Sequence, residues 1–131
     1  MNLESEQRFV ILAHDQPVPH YDLMLQWHGV LWTWRIDTLP TNEHLPCELL
    51  GERLADHRLH YLDYEGPVSR GRGTVQRHER GALHWLESGM GKGRVRLIGD
   101  KLQGELHWEE SSEGTLLRFA PLDVGPCDAV V

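Results

Sequence analysis

A two-residue alternation of apolar and polar side chains runs through most of this chain and limits what it can fold into. This period belongs to strands with one buried face, and no window shows the capped 3.6-residue stripe of an amphipathic helix. The alternation predicts strands at Arg8–Ala13, Asp22–Trp27, Val30–Ile36, His60–Asp63, Gly73–His78, Ala82–Leu86, Arg94–Ile98, Leu102–Glu109 and Thr115–Ala120. We therefore expect a mainly β protein, a compact closed or nearly closed β-barrel of about eight strands with irregular connections.

The connections between these strands carry recognisable turn chemistry. His28-Gly29 fits a two-residue hairpin loop in which the glycine takes a positive φ, and residues 110–114 form a second, polar hairpin loop. The stretch Leu39–Leu54 contains two prolines and no clear period. It predicts an irregular connection with at most one short helical turn, near Glu48–Leu50.

Length and composition place the chain in a broad class. Its 131 residues fit one domain, so we interpret 1–131 as a single unit. No apolar run approaches the roughly 20 residues of a membrane span, and the first residues lack the layout of a signal peptide, so a cytoplasmic location without membrane contact is expected. Cys47 and Cys127 lie far apart in no metal-like pairing and are interpreted as ordinary thiols.

Charge is unevenly distributed along the sequence. The formal net charge of −7 disfavours strong non-specific binding of nucleic acid. Between Arg70 and Lys101, however, the sequence contains eight basic and three acidic residues. This basic third is either a surface for a polyanion or the alternating charge of solvated strands. Five tryptophans leave a similar choice between base stacking and core or rim packing, and we favour packing.

Three side chains with metal-ligating chemistry lie within nine residues. If a strand begins near Asp22, then His20 and Asp22 point to one side of it, and the loop between two prolines brings His14 beside them. Two imidazoles and a carboxylate suit Mn²⁺, Zn²⁺ or Fe²⁺ better than Mg²⁺. The same spacing also occurs among surface histidines and hydrogen-bonded core histidines.

A second polar cluster contains His57 and Tyr61. A histidine and a tyrosine four residues apart can donate protons or hydrogen bonds to a phosphate beside a bound cation. The alternative is a polar strand end followed by a turn at Glu65-Gly66.

Together and in this order, the two clusters resemble the 3′-phosphoesterase module of bacterial DNA ligase D, which also exists as a free-standing protein. The match covers most of the chain. It comprises Arg8-Phe9-Val10-Ile11, His14, His20-Tyr21-Asp22, Gly29-Val30-Leu31, Trp34, Asp56-His57, Tyr61, Tyr64-Glu65-Gly66, Gly73-Thr74-Val75 and the stretch 99–104.

The resemblance implies a compact β-barrel that uses Mn²⁺ to trim DNA 3′ ends before ligation. It removes a terminal ribonucleoside and then the 3′-phosphate left behind, with a DNA ligase or repair complex as a possible partner. Carried over to this sequence, His14, His20 and Asp22 correspond to the metal ligands. His57 and Tyr61 correspond to residues that contact or protonate the phosphate.

This chain departs from the family pattern at three polar positions. Met24 stands where the family has arginine, Leu12 where it has glutamine and Thr38 where it has lysine. A thioether offers neither the charge nor the paired donors with which arginine grips a phosphate. The sequence offers three replacement cations as candidate phosphate-binding residues: Arg70, Arg72 and Arg35.

Three functions are compatible with these observations. The first is an active phosphoesterase on DNA 3′ ends. The second is a catalytically weakened metal-binding module that docks on nucleic acid or a repair partner. The third is a metal-dependent hydrolase of another phosphate ester, which would fit the apolar residues at positions 12 and 24. A guanidinium on the metal-facing side of the fold would favour the first.

Overall fold

The computed structural model describes residues 7–122, which form a nearly closed antiparallel β-barrel. Its strands are β1 (Gln7–His14), β2 (His20–Trp27), β3 (Val30–Ile36), β4 (Cys47–His57), β5 (Gly66–Pro67), β6 (Thr74–Gly89), β7 (Lys92–Gly99), β8 (Gln103–Ser111) and β9 (Gly114–Pro121). Two 3₁₀ helices, η1 (Asn42–His44) and η2 (Leu59–Leu62), flank β4. Among residues 7–122, no helix has the length and apolar character needed to cross a bilayer.

The sheet closes because β1 pairs on both sides. The strand order is β1-β2-β3-β4-β9-β8-β7-β6-β5, and β1 also pairs with β6, so eight strands form a ring to which the short β5 is attached. A register shift between Ile11 and Leu12 bends the β1–β6 ladder. The predicted fold class is confirmed.

The inner face of the ring holds the main core. Alternate residues point inward, and the largest fully buried ones include Trp34, Phe9 and Phe119. Burying each such side chain contributes roughly 1.5–3 kcal/mol. Trp27, Trp32 and Trp85 pack edge to face or tilted at one end of this core. The tryptophans therefore serve packing, as predicted.

A second apolar cluster lies outside the ring, on the outer face of β1 and β2. Val10, Leu12 and Met24 are at most 1% exposed although they point away from the main core, because η2 and the segment that follows it cover them. Arg8 fastens the end of this cover with two 3.0 Å hydrogen bonds to Asp63. These hydrogen bonds hold the pKa of Asp63 below its usual value.

The predicted irregular stretch Leu39–Leu54 is wrong over its second half. β4 starts at Cys47, and the helical turn falls at Asn42–His44 instead of Glu48–Leu50. Consecutive leucines hide the alternation, and Leu50 is 57% exposed. Pairing with β3 on one side and β9 on the other imposes the strand. Tertiary pairing therefore determines the structure of β4, where the local sequence pattern does not predict a strand.

Three other predicted strands are corrected. His60–Asp63 lies largely in η2, where the Tyr61 and Asp63 amides bond carbonyls three residues back. The two strands predicted at Gly73–His78 and Ala82–Leu86 are one continuous β6. Gly81 interrupts the apolar–polar alternation of the sequence but not the hydrogen-bonded ladder. The strands approach closely there, and a Cβ at residue 81 would clash with the Ile98 carbonyl of β7, so only glycine fits.

The predicted His28-Gly29 hairpin is confirmed by the Trp27–Val30 pair, but the positive φ of 55° belongs to His28.

Cys47 is half-buried, and burial raises the pKa of its thiol, which fits an ordinary, protonated thiol. Cys127 lies outside the described residues.

Glu79 is a buried carboxylate that organises the turn between β7 and β8. It is 3% exposed, and its oxygens accept hydrogen bonds from the amides of Arg80 (2.9 Å), Asp100 (3.0 Å) and Lys101 (2.7 Å). These charge-assisted bonds satisfy backbone donors that the turn would otherwise leave without a partner.

We expect Glu79→Ala to lower the free energy of unfolding by about 2 kcal/mol, because these amides lose a charged acceptor. Urea unfolding followed by tryptophan fluorescence measures the change. Glu113→Ala, on the exposed β8–β9 turn, is the matched control and should stay within about 0.5 kcal/mol of wild type. Equal effects of the two substitutions would contradict the role of Glu79.

Candidate functional site

His14, His20 and Asp22 meet where β1 ends and β2 begins. His14 pairs with His20 across the hairpin, and Asp22 lies two residues further along β2 on the same outer face. His14 Nδ1 is 3.4 Å from one oxygen of Asp22, and His20 Nε2 is 3.2 Å from the other. Potential ligand atoms of all three lie within 4.8 Å of one another. The predicted convergence is confirmed.

Backbone carbonyls fix the orientation of both imidazoles. The Arg72 carbonyl lies 2.7 Å from Nε2 of His14, and the Val18 carbonyl lies 2.7 Å from Nδ1 of His20. A carbonyl only accepts, so these nitrogens carry the protons of the neutral rings. The remaining nitrogen of each ring therefore turns a lone pair toward Asp22.

This arrangement leaves negative charge and lone pairs facing each other without a donor between them. Asp22 is 3% exposed, and its Oδ1 has no hydrogen-bond partner within residues 7–122. A buried carboxylate oxygen without a partner is costly unless a cation compensates it. Two nitrogens and a carboxylate could hold an ion such as Mn²⁺ or Zn²⁺, so the donor set fits the expected metal.

A cavity of about 340 Å³ opens beside this cluster on the outer face of the barrel. Its walls come from β1, β2, the end of β4, η2 and the segment leading to β6. The lining residues are His14, Asp22, Met24, Asp56, His57, Arg58, Tyr61, Val68, Arg72 and Val75. We call this cavity the outer pocket.

His57 and Tyr61 both reach the outer pocket, with ring centroids 5.7 Å apart. Arg53 anchors the end of β4 that carries His57, because its guanidinium lies 4.9 Å from the Trp34 ring and 3.3 Å from Asp56. His57 Nδ1 donates to the Ala55 carbonyl at 2.8 Å when the ring is neutral. Nε2 of His57 is then the nitrogen left for a ligand.

The three predicted phosphate-binding arginines are placed differently. Arg72 lines the outer pocket, where the Ser69 carbonyl and hydroxyl hold its guanidinium at 2.9 and 3.0 Å. Arg35 lines a separate depression, and Arg70 is exposed and outside the lining. The structure adds Arg58, which sequence reasoning missed although it directly follows His57.

Part of the basic third is neutralised across neighbouring strands. Arg94 pairs with Glu87 and Glu105, and Arg80 lies 3.8 Å from Asp100. These residues fit the alternating charge of solvated strands, whereas Arg72 belongs to the site.

The three residues His14, His20 and Asp22, which we call the acceptor cluster, thus lie on the outer face of a small β-barrel, beside a pocket lined by Arg58 and Arg72. The sequence matches the family model of the DNA ligase D 3′-phosphoesterase domain over residues 12–109. The chain belongs to this family. Membership in this family supports a function as a DNA-repair phosphoesterase.

Two curated proteins illustrate the relationship. The multifunctional non-homologous end joining protein LigD of Pseudomonas aeruginosa is 32% identical over 108 residues, which cover 76% of this chain and 13% of that protein. The multifunctional non-homologous end joining DNA repair protein LigD of Mycobacterium tuberculosis is 38% identical over 64 residues, covering 48% and 8%. The chain thus spans only a small part of each relative.

The acceptor cluster makes a direct prediction about metal affinity. We expect Asp22→Ala and His20→Ala to weaken Mn²⁺ binding by at least about a hundredfold in calorimetric titrations, because each removes a ligand. His84→Ala and His107→Ala lie outside the cluster and should bind as wild type does. Equal affinity of wild type and Asp22→Ala would contradict the metal assignment.

Gly73 couples the cover of the outer pocket to His14. Its φ is +88°, and an added Cβ would meet Asp15 Oδ1 and lie 2.9 Å from Gln16 Cβ. We expect Gly73→Ala to displace Arg72 and weaken Mn²⁺ binding about tenfold, since the Arg72 carbonyl orients His14. Gly71→Ala is the matched control, with φ +66° but nothing within 4 Å of the new Cβ. The idea fails if both variants bind Mn²⁺ equally well.

Proposed function

We propose that this protein is a divalent-metal-dependent 3′-phosphoesterase that acts on DNA 3′ ends. The observation that carries the proposal is the acceptor-only cluster of His14, His20 and Asp22, which opens directly into a pocket lined by two arginines. A bound cation would balance the negative charge of Asp22 in the cluster, and a bound phosphate would balance the positive charge of the two arginines. Family membership supports DNA 3′ ends as the substrate class of this proposal.

Two hydrolytic steps would restore a 3′-hydroxyl. In the first, water adds to phosphorus, the bond to the 5′-oxygen of a terminal ribonucleoside breaks, and that oxygen gains a proton. In the second, water releases inorganic phosphate from the 3′-oxygen, which is protonated in turn. The product is the end that a DNA ligase joins, so we propose a ligase or repair complex as the partner.

Each part of the site has a role in this scheme. An ion such as Mn²⁺ on the three ligands would neutralise phosphate oxygens and make bound water more acidic. Arg58 and Arg72 would orient the phosphate through charge-assisted hydrogen bonds. His57 and Tyr61 would contact the same phosphate or supply a proton.

The floor of the outer pocket gives one argument for a different function. Met24 lines it, and Met24 packs with Leu12 and Leu62 in the outer apolar cluster. Neither Met24 nor Leu12 can donate to a phosphate. This apolar floor favours the two alternatives: a catalytically weakened metal-binding module that docks on nucleic acid or a repair partner, and a metal-dependent hydrolase of another phosphate ester.

An assay of purified protein with Mn²⁺ and duplex DNA distinguishes these functions. We expect wild type to release a 3′-ribonucleoside and a 3′-phosphate, and His57→Ala to slow 3′-phosphate release about a hundredfold. Gel separation of the products measures both steps. His84→Ala, an exposed histidine on β6, is the control. Binding of Mn²⁺ without turnover of either end would support the weakened module instead.

A further inference from the structure

Four aromatic rings form a continuous group from the outer pocket to the exposed side of η2. His57 and Tyr61 reach the pocket, and the ring centroids of Tyr61 and His60 are 4.2 Å apart. The ring of Tyr64 lies 5.2 Å from that of His60 and 5.9 Å from that of Tyr61. We call His60, Tyr61 and Tyr64 the aromatic ledge. Because Tyr61 belongs to both, the ledge is continuous with the pocket.

The aromatic ledge is supported on one side and exposed on the other. Tyr61 and Tyr64 pack against the outer apolar cluster, and the Tyr64 hydroxyl donates a hydrogen bond to the Pro67 carbonyl. The Tyr61 amide donates to the Arg58 carbonyl at 3.1 Å, which fixes the backbone at the start of η2. The His60 side chain is exposed. An exposed ring on an aromatic support can accept a further flat ring by stacking.

The charges of the outer pocket favour an anionic ligand beside the ledge. Two arginines, Arg58 and Arg72, and two aspartates line this pocket. Asp56 lies 3.3 Å from the Arg53 guanidinium, which balances its charge. Asp22 belongs to the acceptor cluster, where the proposed cation would balance it. The two guanidinium groups of the lining are therefore left for a phosphate.

The segment that carries the ledge has two acidic side chains of its own. Asp63 pairs with Arg8 at 3.0 Å, and Glu65 accepts a hydrogen bond from the Arg77 amide at 2.7 Å. Glu65 thus keeps its negative charge, but the two arginines of the outer pocket outnumber it. The surroundings of the ledge therefore suit a flat ring that is attached to a phosphate, as in a nucleotide.

Building on the proposed function, we propose that the aromatic ledge stacks the last base of the DNA strand whose 3′-phosphate occupies the outer pocket. The base and the 3′-phosphate of a nucleotide are attached to the same sugar. A phosphate beside Tyr61 therefore brings its base to the neighbouring His60 ring. Stacking tolerates any sequence, because every base offers a flat face. The ledge would bind all four bases and would fail to bind a last nucleotide that lacks one.

The test measures 3′-phosphate release in Mn²⁺ from two duplexes. In one, the last nucleotide of the phosphorylated strand carries its base, and in the other this nucleotide is an abasic tetrahydrofuran residue. We expect wild type to show an about tenfold higher KM for the abasic end, since one stacked base is lost. His60→Ala should raise KM about tenfold for the ordinary end and no further for the abasic end. kcat should stay within about twofold, because stacking binds substrate and transition state equally.

Two further variants define what the ledge contributes. His60→Phe keeps a flat ring without the imidazole nitrogens and should retain the wild-type preference for an end with a base. His44→Ala removes an exposed histidine of η1 and should behave as wild type does on both ends. If wild type is active but does not discriminate between the two ends, or if His60→Ala discriminates as wild type does, the ledge assignment is overturned while the phosphoesterase stands.

A binding measurement separates this inference from the proposed function. A fluorescent purine analogue, placed as the last base of the 3′-phosphorylated strand, loses emission when it stacks, so titration with each variant reports the contact without turnover. Quenching by wild type but not by His60→Ala, without phosphate release by wild type, would uphold the ledge and contradict the phosphoesterase. Absence of quenching by wild type would overturn the ledge, whatever the activity.

Discussion

The double pairing of β1 is the interaction on which the rest of the structure depends. Hydrogen bonds to β2 on one side and β6 on the other close the ring. A closed ring leaves no free edge on β1 and gives it two buried faces. Phe9 and Ile11 fill the barrel, while Val10 and Leu12 fill the outer cluster. His14 is the last residue of this strand, so closure of the barrel also positions the first of the three proposed metal ligands.

The barrel and its cover contribute different parts of the site. The outer face of β1 and β2 supplies His14, His20 and Asp22, which are held by sheet pairing. The segment from β4 to β6 supplies His57, Arg58, Tyr61 and Arg72. A hydrogen bond between His14 and the Arg72 carbonyl joins the acceptor cluster directly to this segment. The orientation of the His14 imidazole is therefore tied to the segment that carries Arg58 and Arg72.

Sequence patterns predicted the parts of this protein that depend on local periodicity. The offset of two residues between His20 and Asp22 put both on one strand face, which the β1–β2 register confirms. β4 was missed, because its pairing with β9 joins residues far apart in the chain. The same limit hid the surroundings of Asp37, which lines one depression with His14 and His20 only because the sheet brings the end of β3 beside the start of β2.

The apolar floor of the outer pocket and the position of its arginines both follow from the way η2 packs on the barrel. Leu12 and Met24 are at most 1% exposed because Leu62 of η2 packs against the cluster they belong to. Polar side chains at those two positions would have to be buried under η2 or would push it away. With an apolar floor, η2 can pack closely and still present Tyr61 to the pocket. Donors for an anion then come from the rim, where Arg58 and Arg72 reach it without burying their charge in the apolar cluster.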